Sequence, residues 1–248
     1  MSTIKTCRIL GVNIAVTNMA QTVQYIENNL EELGGKYICV SNVHTTVMAH
    51  DNPAYRNVQN SAAIALPDGK PLSVVSRKRG YTEAERVTGP DLMGELFARE
   101  NGLKHFFYGD KEETLQILQQ KLKEKYPDIQ IAGMISPPFR SLSKEEEKAY
   151  IQQINDSGAD IVWIGLGAPK QENWMYEHQG MLHGVMIGVG AGFSYHAGLI
   201  KRAPEWMQKM SLEWFYRLMQ DPVRLFKRYF TTNLKFMLLE AKDKGEVL

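Results

Sequence analysis

The chain is poor in several features that would identify common protein classes. It has two cysteines in 248 residues, Cys7 and Cys39, in strand-like surroundings and without metal-type spacing. That excludes a disulfide framework and a cysteine-based zinc site, and it fits buried thiols in a reducing cytoplasm. No apolar run approaches the roughly 20 residues a membrane-spanning helix needs. The N-terminus, MSTIKTCRILGVNIAV, has no long apolar core followed by a small-residue cleavage site. A cytosolic protein, at most peripheral on a membrane, is expected. There is no HExxH, no Asp-x-Asp and no Cys-His set, so metal catalysis is disfavoured and neither a metal nor a cofactor is expected. A G-x-S-x-G nucleophile signature is missing too. His44, His105 and His196 stand near loops and read as hydrogen-bonded structural residues.

Net charge is only +1, but it is unevenly placed. Residues 201–248 hold ten Lys or Arg against six Asp or Glu, so this tail carries +4 and the rest −3. A basic tail on a mildly acidic body suggests an anionic surface as partner, and with no nucleic-acid module or basic-aromatic motif, nucleic acid is not expected.

What is present alternates between strand and helix. Ile9 to Val16 reads as a strand or hairpin arm, followed by a helix capped at Thr17 with Met19, Val23, Ile26 and Leu30 on one face. Tyr37 to Val40 is a strand ending in a polar turn, Ser41 to Thr46, and Ala62 to Leu66 is a strand running into Pro67-Asp68-Gly69-Lys70-Pro71. RVTGPD at 86–91 is a glycine-bearing turn with Pro90 suited to a first helical turn. Further strands at His105–Asp110, Ile129–Met134, Ile161–Ile164 and Val185–Val189 alternate with helices, one of them opened by a Ser143/Glu146 capping box. This pattern implies an α/β fold: a mostly parallel, doubly wound Rossmann-like sheet with flanking helices. SNVHTT, PDGKP, YGD, GLGAPKQE and GVGAGF all follow strands, so they can share one edge and line one cleft.

Within that cleft Asp68 is the candidate general base, since a fixed carboxylate suits proton abstraction, although Asp-Gly is also a common turn. Gly165-Leu166-Gly167 and Gly188-Val189-Gly190 lack the full dinucleotide fingerprint. Two such turns at one edge point to a nucleotide phosphate site, with tight strand-helix packing as the alternative for each glycine. Tyr108 and Gly109 at the YGD strand end belong to the same nucleotide side. Lys170 and Gln171 are in reach of phosphate or sugar hydroxyls, or else are solvated first-turn residues. In the tail, Asp221-Pro222 reads as N-cap and N1, and Arg224, Arg228, Lys235 and Lys242 fall within an arc of about 40° at roughly 100° per residue. Leu225, Phe226, Tyr229, Phe230, Phe236 and Met237 take the other side. The helix is therefore either packed with a solvated cationic stripe or bound to a membrane surface.

These residues resemble a family. PDGKPL at 67–72, ERVTGPDLM at 85–93, FFYGD at 106–110, PPFR at 137–140, GLGAPKQENW at 165–174, GVGAGF at 188–193 and RAPEWMQKMSLEWFYRLMQDPVR at 202–224 occur in the order found in the WecG/TagA/CpsF glycosyltransferases, family 26. The resemblance implies a GT-E type body over residues 1–202 and a membrane-proximal helical C-terminal appendage over 203–248. It implies inverting, metal-independent transfer from a UDP-sugar donor to a polyprenyl-diphosphate-linked acceptor at the inner membrane face. The transferred sugar would be a hexose or N-acetylhexosamine, with N-acetylmannosamine the best-known case. On this resemblance Asp68 is the general base, and Arg86, Gln171, Arg217, Arg224 and Arg228 contact substrate. Asn42 is carried as a further contact, from a strand end that matches less closely. Some relatives have an aromatic-Asp pair after the second glycine turn, where this chain has Phe193-Ser194. A nucleotide-sugar oxidoreductase or epimerase and a non-catalytic membrane-associated binding module are the alternatives, and a homo-oligomer is left open.

Overall fold

The computed structural model describes residues 4–243 other than Glu100, Glu205, Gln208, Lys209 and Ser211; the side chains of Arg224, Lys227, Arg228 and Tyr229 lie outside the described set. The chain opens with a hairpin, β1 (Thr6–Ile9) and β2 (Val12–Ala15). Its two-residue turn places Leu10 at φ 48 and Gly11 at φ 86, the left-handed pair that matches strand twist. Six further strands follow: β3 (Tyr37–Ser41), β4 (Ile64–Pro67), β5 (Lys104–Gly109), β6 (Gln130–Ile135), β7 (Ile161–Gly165) and β8 (Val185–Gly188). The sheet runs β1-β2-β4-β3-β8-β7-β5-β6, antiparallel only between β1 and β2. The carboxyl ends of all the parallel strands therefore face one edge. β3 and β8, from opposite halves of the chain, are neighbours at the centre, with Cys39 opposite Gly188.

β3, β4 and β8 are buried at every position, the pattern of strands covered on both faces. One face is covered by α1 (Met19–Asn28), α6 (Gly89–Phe97), α7 (Glu112–Lys125) and α10 (Gly192–His196), which pack on Ile38, Leu66, Phe107, Trp163 and Ile187. The other face carries α3 (Val43–Asp51), α4 (Pro53–Asn60), α5 (Lys70–Lys78), α8 (Lys144–Asp156) and α9 (Lys170–Glu177) over Cys39, Ala65, Tyr108, Val162 and Met186. A short α2 (Leu30–Leu33) follows α1.

Two local expectations change. The cap of α1 is Asn18, whose side chain accepts from the Gln21 amide at 2.9 Å; the Thr17 hydroxyl is spent on the Asn18 carbonyl and on Thr22. The stretch 43–46, expected as a polar turn, is the first turn of α3. Asn42 accepts from the His44 and Thr45 amides while its own amide donates to Thr45 Oγ1, a reciprocal cap that lets β-branched residues start a helix. The Ser143/Glu146 capping box forms as expected, and Cys7 and Cys39 are free and buried.

Beyond residue 203 lie α11 (Glu213–Gln220) and α12 (Pro222–Glu240). α12 docks along α3 through Leu225, Thr232 and Phe236, and Phe236 joins the core on that side. The far end is tied down by Asp243, which accepts from the Leu10 amide at 3.1 Å and from Arg79 at 3.2 Å; Arg79 also reaches Glu240 at 3.2 Å.

Gly165 ends β7 where a Cβ would stand 2.7 Å from the ring of Phe193, itself fully buried. Gly165→Ala is expected to destabilise the fold by about 1–3 kcal/mol through overpacking, read as a lowered urea midpoint with unchanged slope.

Candidate active site

Asp68 stands one residue past β4, and the parallel pairing of β3 with β4 fixes it. Its amide donates to the Ser41 carbonyl at 2.7 Å, one pair beyond the Ser41–Pro67 register. Gly69 follows at φ 95 and leads into α5. The Asn42 side chain caps α3 with its oxygen and donates to the Asp68 carboxylate with its nitrogen. Burial raises the Asp68 pKa to about 6; Arg86, Asn42 and Arg217 pull it down, and Glu213 pushes it up. The loop between α5 and α6 returns to the same place, with the Val87 amide on the Pro67 carbonyl at 2.9 Å. Gly89, at the start of α6, lies against Val189, where a Cβ would come within 3.3 Å of its backbone. The Pro-Asp-Gly turn and the second glycine turn therefore meet at one edge.

Arg86 and the tail close this corner. Arg86 Nη1 binds Glu213 at 2.5 Å, and its Nη2 lies 3.8 Å from Asp91. Arg202 binds Asp91 at 2.5 Å and lies 3.9 Å from Glu213. Thr88 caps α6 and donates to Asp91 at 2.6 Å. Arg217, one turn after Glu213 on α11, sits over the Tyr195 ring at 5.3 Å. Arg224 and Arg228 lie on α12, and their side chains are outside the described set.

On the glycine side, Gln171 is buried, with both ends of its amide held by the protein. Its nitrogen donates to Glu172 at 2.8 Å and its oxygen accepts from the Gly190 amide at 3.0 Å. Glu172, at 1% exposure, carries a raised pKa because of burial; its second oxygen has no hydrogen-bond partner among the described residues, although the Tyr55 phenol faces it. Beyond Tyr55 the chain of contacts runs through Gln59 (3.0 Å) to Ser41 (2.5 Å), back beneath Asp68. Tyr108 is buried and stacks on Trp174 at 4.7 Å, so it floors the cleft rather than facing it. Gly109, Gly165 and Gly188 are sites of close approach, to Gly165, Phe193 and Met175 respectively. Gly167 and Gly190 turn with positive φ, and a Cβ on Gly167 would meet open space. Lys170 is exposed at the start of α9.

Several contributors escaped the sequence reading. Glu213 carried a signal, its i, i+4 spacing to Arg217, and Glu172 carried none beyond adjacency to Gln171. Asp110 takes φ 57 at the end of β5 and accepts from Ser194 at 3.0 Å, so a carboxylate from another strand stands beside the position where Phe193-Ser194 supplies none. His105 and His196 are structural: His105 accepts from the Trp163 indole at 3.2 Å, and His196 Nε2 lies 2.9 Å from the Pro90 carbonyl. Among the described residues, no three or more His, Cys, Asp or Glu side chains are grouped to hold a metal.

Asp68 is a charged group kept at a cost. Its folded pKa is raised, so its stabilising contribution is complete below its ordinary value of 3.8 and is lost as pH rises through about 6. Asp68→Asn is therefore expected to be more stable than the parent at pH 7.5, by on the order of 2 kcal/mol, and not at pH 3.5. A thermal midpoint at pH 7.5 no higher than the parent's would contradict the burial of this charge.

Residues 7–246 match the model of the "Glycosyl transferase WecG/TagA/CpsF family". The N-acetylglucosaminyldiphosphoundecaprenol N-acetyl-beta-D-mannosaminyltransferase of Bacillus subtilis (strain 168) is 30% identical over 232 residues, 92% of this chain and 88% of the relative. The protein of the same name from Staphylococcus aureus (strain MW2) is 29% identical over 241 residues, 95% of this chain and 93% of the relative. The chain belongs to the WecG/TagA/CpsF glycosyltransferase family.

Proposed function

We propose that this family member transfers N-acetylmannosamine from a UDP-sugar to an N-acetylglucosamine carried on undecaprenyl diphosphate, with inversion and without a metal. The observation that carries the reading is Asp68: a half-buried carboxylate whose pKa stands near 6, with Arg86 and Arg217 close enough to shift it and two glycine turns on the same sheet edge. The names of the relatives supply the sugar and the acceptor.

In this mechanism the acceptor hydroxyl oxygen attacks the anomeric carbon and the bond to the UDP β-phosphate oxygen breaks. Asp68 takes the hydroxyl proton and UDP leaves with the bonding pair. A base poised near 6 is ionised at neutral pH and still basic enough to help. Arg86, Arg217, Arg224 and Arg228 are assigned to the diphosphates, where guanidinium forks match the oxygens in geometry and charge. Gln171 serves through the Gly190 turn it holds, and Asn42 through its bond to Asp68.

The tail supports a membrane role. On α12, Val223, Phe226, Phe230, Leu234, Met237 and Leu238 are all exposed and fall within an arc of about 120° at 100° per residue. They lie opposite the buried Leu225, Thr232 and Phe236, so the apolar residues divide between two faces instead of sharing one. Trp214, Phe215 and Met219 on α11 are exposed as well. Of the cationic stripe, Lys235 is paired with Asp51 at 2.7 Å. No helix among the described residues is long and apolar enough to cross a membrane. An apolar stripe flanked by cations is the pattern of a helix lying in an anionic interface, and residues 203–248 would form the appendage that brings lipid to Asp68.

Asp68→Asn is expected to fold and to lose about 10²- to 10⁴-fold in kcat, while the parent's kcat/KM falls on an acid limb near pH 6. A panel of UDP-sugars with a short-chain polyprenyl-diphosphate acceptor, read by product mass, identifies the sugar; failure of UDP-N-acetylmannosamine alone would reject that donor. The double variant Phe226→Ser/Phe230→Ser should keep its thermal midpoint and lose co-sedimentation with anionic vesicles, and undiminished binding would remove the membrane assignment.

A further inference from the structure

The guanidinium that acts most strongly on Asp68 is already occupied. Arg86 projects from the loop between α5 and α6, and its Nη1 is held by Glu213 at 2.5 Å, a residue 127 positions away in the tail. The other carboxylate at this corner, Asp91, has better partners of its own: Arg202 at 2.5 Å and the Thr88 hydroxyl at 2.6 Å, against 3.8 Å to Arg86. Among the described residues Glu213 has no such second anchor, since Arg202 lies 3.9 Å from its other oxygen. It also stands among like charges, with Asp91 sharing both its arginines and Asp68 close enough for Glu213 to raise its pKa. Of the groups around Arg86, Glu213 is therefore the one whose place is held by a single strong contact and opposed by its neighbours.

A diphosphate arriving at this corner carries more charge than a carboxylate and presents oxygens that fit the same fork. It competes with Glu213 for Arg86, because sharing would add a further anion to a cation that already faces Glu213 and, at 3.8 Å, Asp91, beside Asp68. Arg217 lies one turn further along α11, so the same helix offers a cation to the ligand once Glu213 lets go.

We propose that Glu213 is an internal ligand of Arg86, a stand-in for the substrate diphosphate that holds α11 over Asp68 until a diphosphate displaces it. The inference rests on the reading of Arg86 as a diphosphate contact. Glu213 is accordingly a positioning residue, and its removal makes the anion site stronger. If the internal ligand occupies Arg86 nine-tenths of the time, it lowers apparent affinity about tenfold.

The test is calorimetric titration of the full chain with inorganic pyrophosphate. Glu213→Gln is expected to bind about tenfold more tightly than the parent. Arg202→Gln, which cuts the same cluster without freeing Arg86, is expected not to tighten binding. Adding Arg86→Gln to Glu213→Gln should abolish the gain. If Glu213→Gln does not fold, as read by circular dichroism and a thermal melt, Glu213→Asp, one methylene shorter, carries the test in the same direction. Parent binding that depends on Arg86 but is no tighter in the Glu213 variant overturns the internal ligand alone. Equal tightening by Arg202→Gln shows general loosening of the tail and overturns it as well. Binding indifferent to Arg86→Gln, or absent from every form, removes both this inference and the assignment of Arg86 to a diphosphate.

Discussion

A half-buried carboxylate at the end of a parallel strand has to be held there, and the rest of this site follows from how Asp68 is held. Its backbone is fixed by the β3–β4 pairing, through a 2.7 Å bond to Ser41, and its charge is met by an amide from Asn42 and by two guanidinium groups. Burial outweighs these partners, which is why its pKa moves up to about 6 instead of down. The balance is local but its sources are not. Arg86 comes from the body, whereas Arg217 and Glu213 arrive on a helix whose sequence position is more than 140 residues from Asp68.

Beneath this corner a buried hydrogen-bond chain links the two halves of the sheet edge. Ser41 donates to Gln59, Gln59 to the Tyr55 hydroxyl, and the Tyr55 phenol faces Glu172. From the other side Gln171 donates to Glu172 and accepts from Gly190. Donors thus converge on one buried carboxylate from both directions, which sets the orientation of both glutamine amides. A half-satisfied network in low dielectric is expensive, and the second oxygen of Glu172, which has no hydrogen-bond partner among the described residues, is the point where this one falls short. It connects the Gly188–Gly190 turn to the strand end that carries Asn42, so the glycine-turn side and the Asp68 side of the cleft share one support.

The tail joins the body by two kinds of contact. α12 is anchored by Leu225 and Phe236 against α3 and by Asp243 at the first hairpin, while its opposite face leaves Phe226, Phe230 and Met237 in solvent. α11 is held at the site by ion pairs to Arg86 and Arg202 and has no fully buried side chain. The anchoring of α12 is hydrophobic and insensitive to ligands. The seating of α11 is electrostatic, and an anion can compete for it.

Much of the architecture was legible in the residues alone because it rests on local rules. Short apolar runs closed by glycine marked β7 and β8, the Ser143 box marked α8, and Pro90 marked the first turn of α6; a parallel sheet then required the strand-end motifs to share an edge. The family motifs singled out Asp68 and Arg86 for the same reason, since each lies in a turn with its own signature. What sequence could not decide was long-range. Periodicity placed Phe226, Phe230, Leu225 and Phe236 on one apolar side, but only the docking of α12 on α3 shows that they divide between core and solvent. Gln171 read as a reaching side chain, and only its burial between Glu172 and Gly190 makes it a strut. The pairing of Arg86 with Glu213 joins residues that share no local pattern, and electrostatic contacts across more than a hundred residues are made by the tertiary fold.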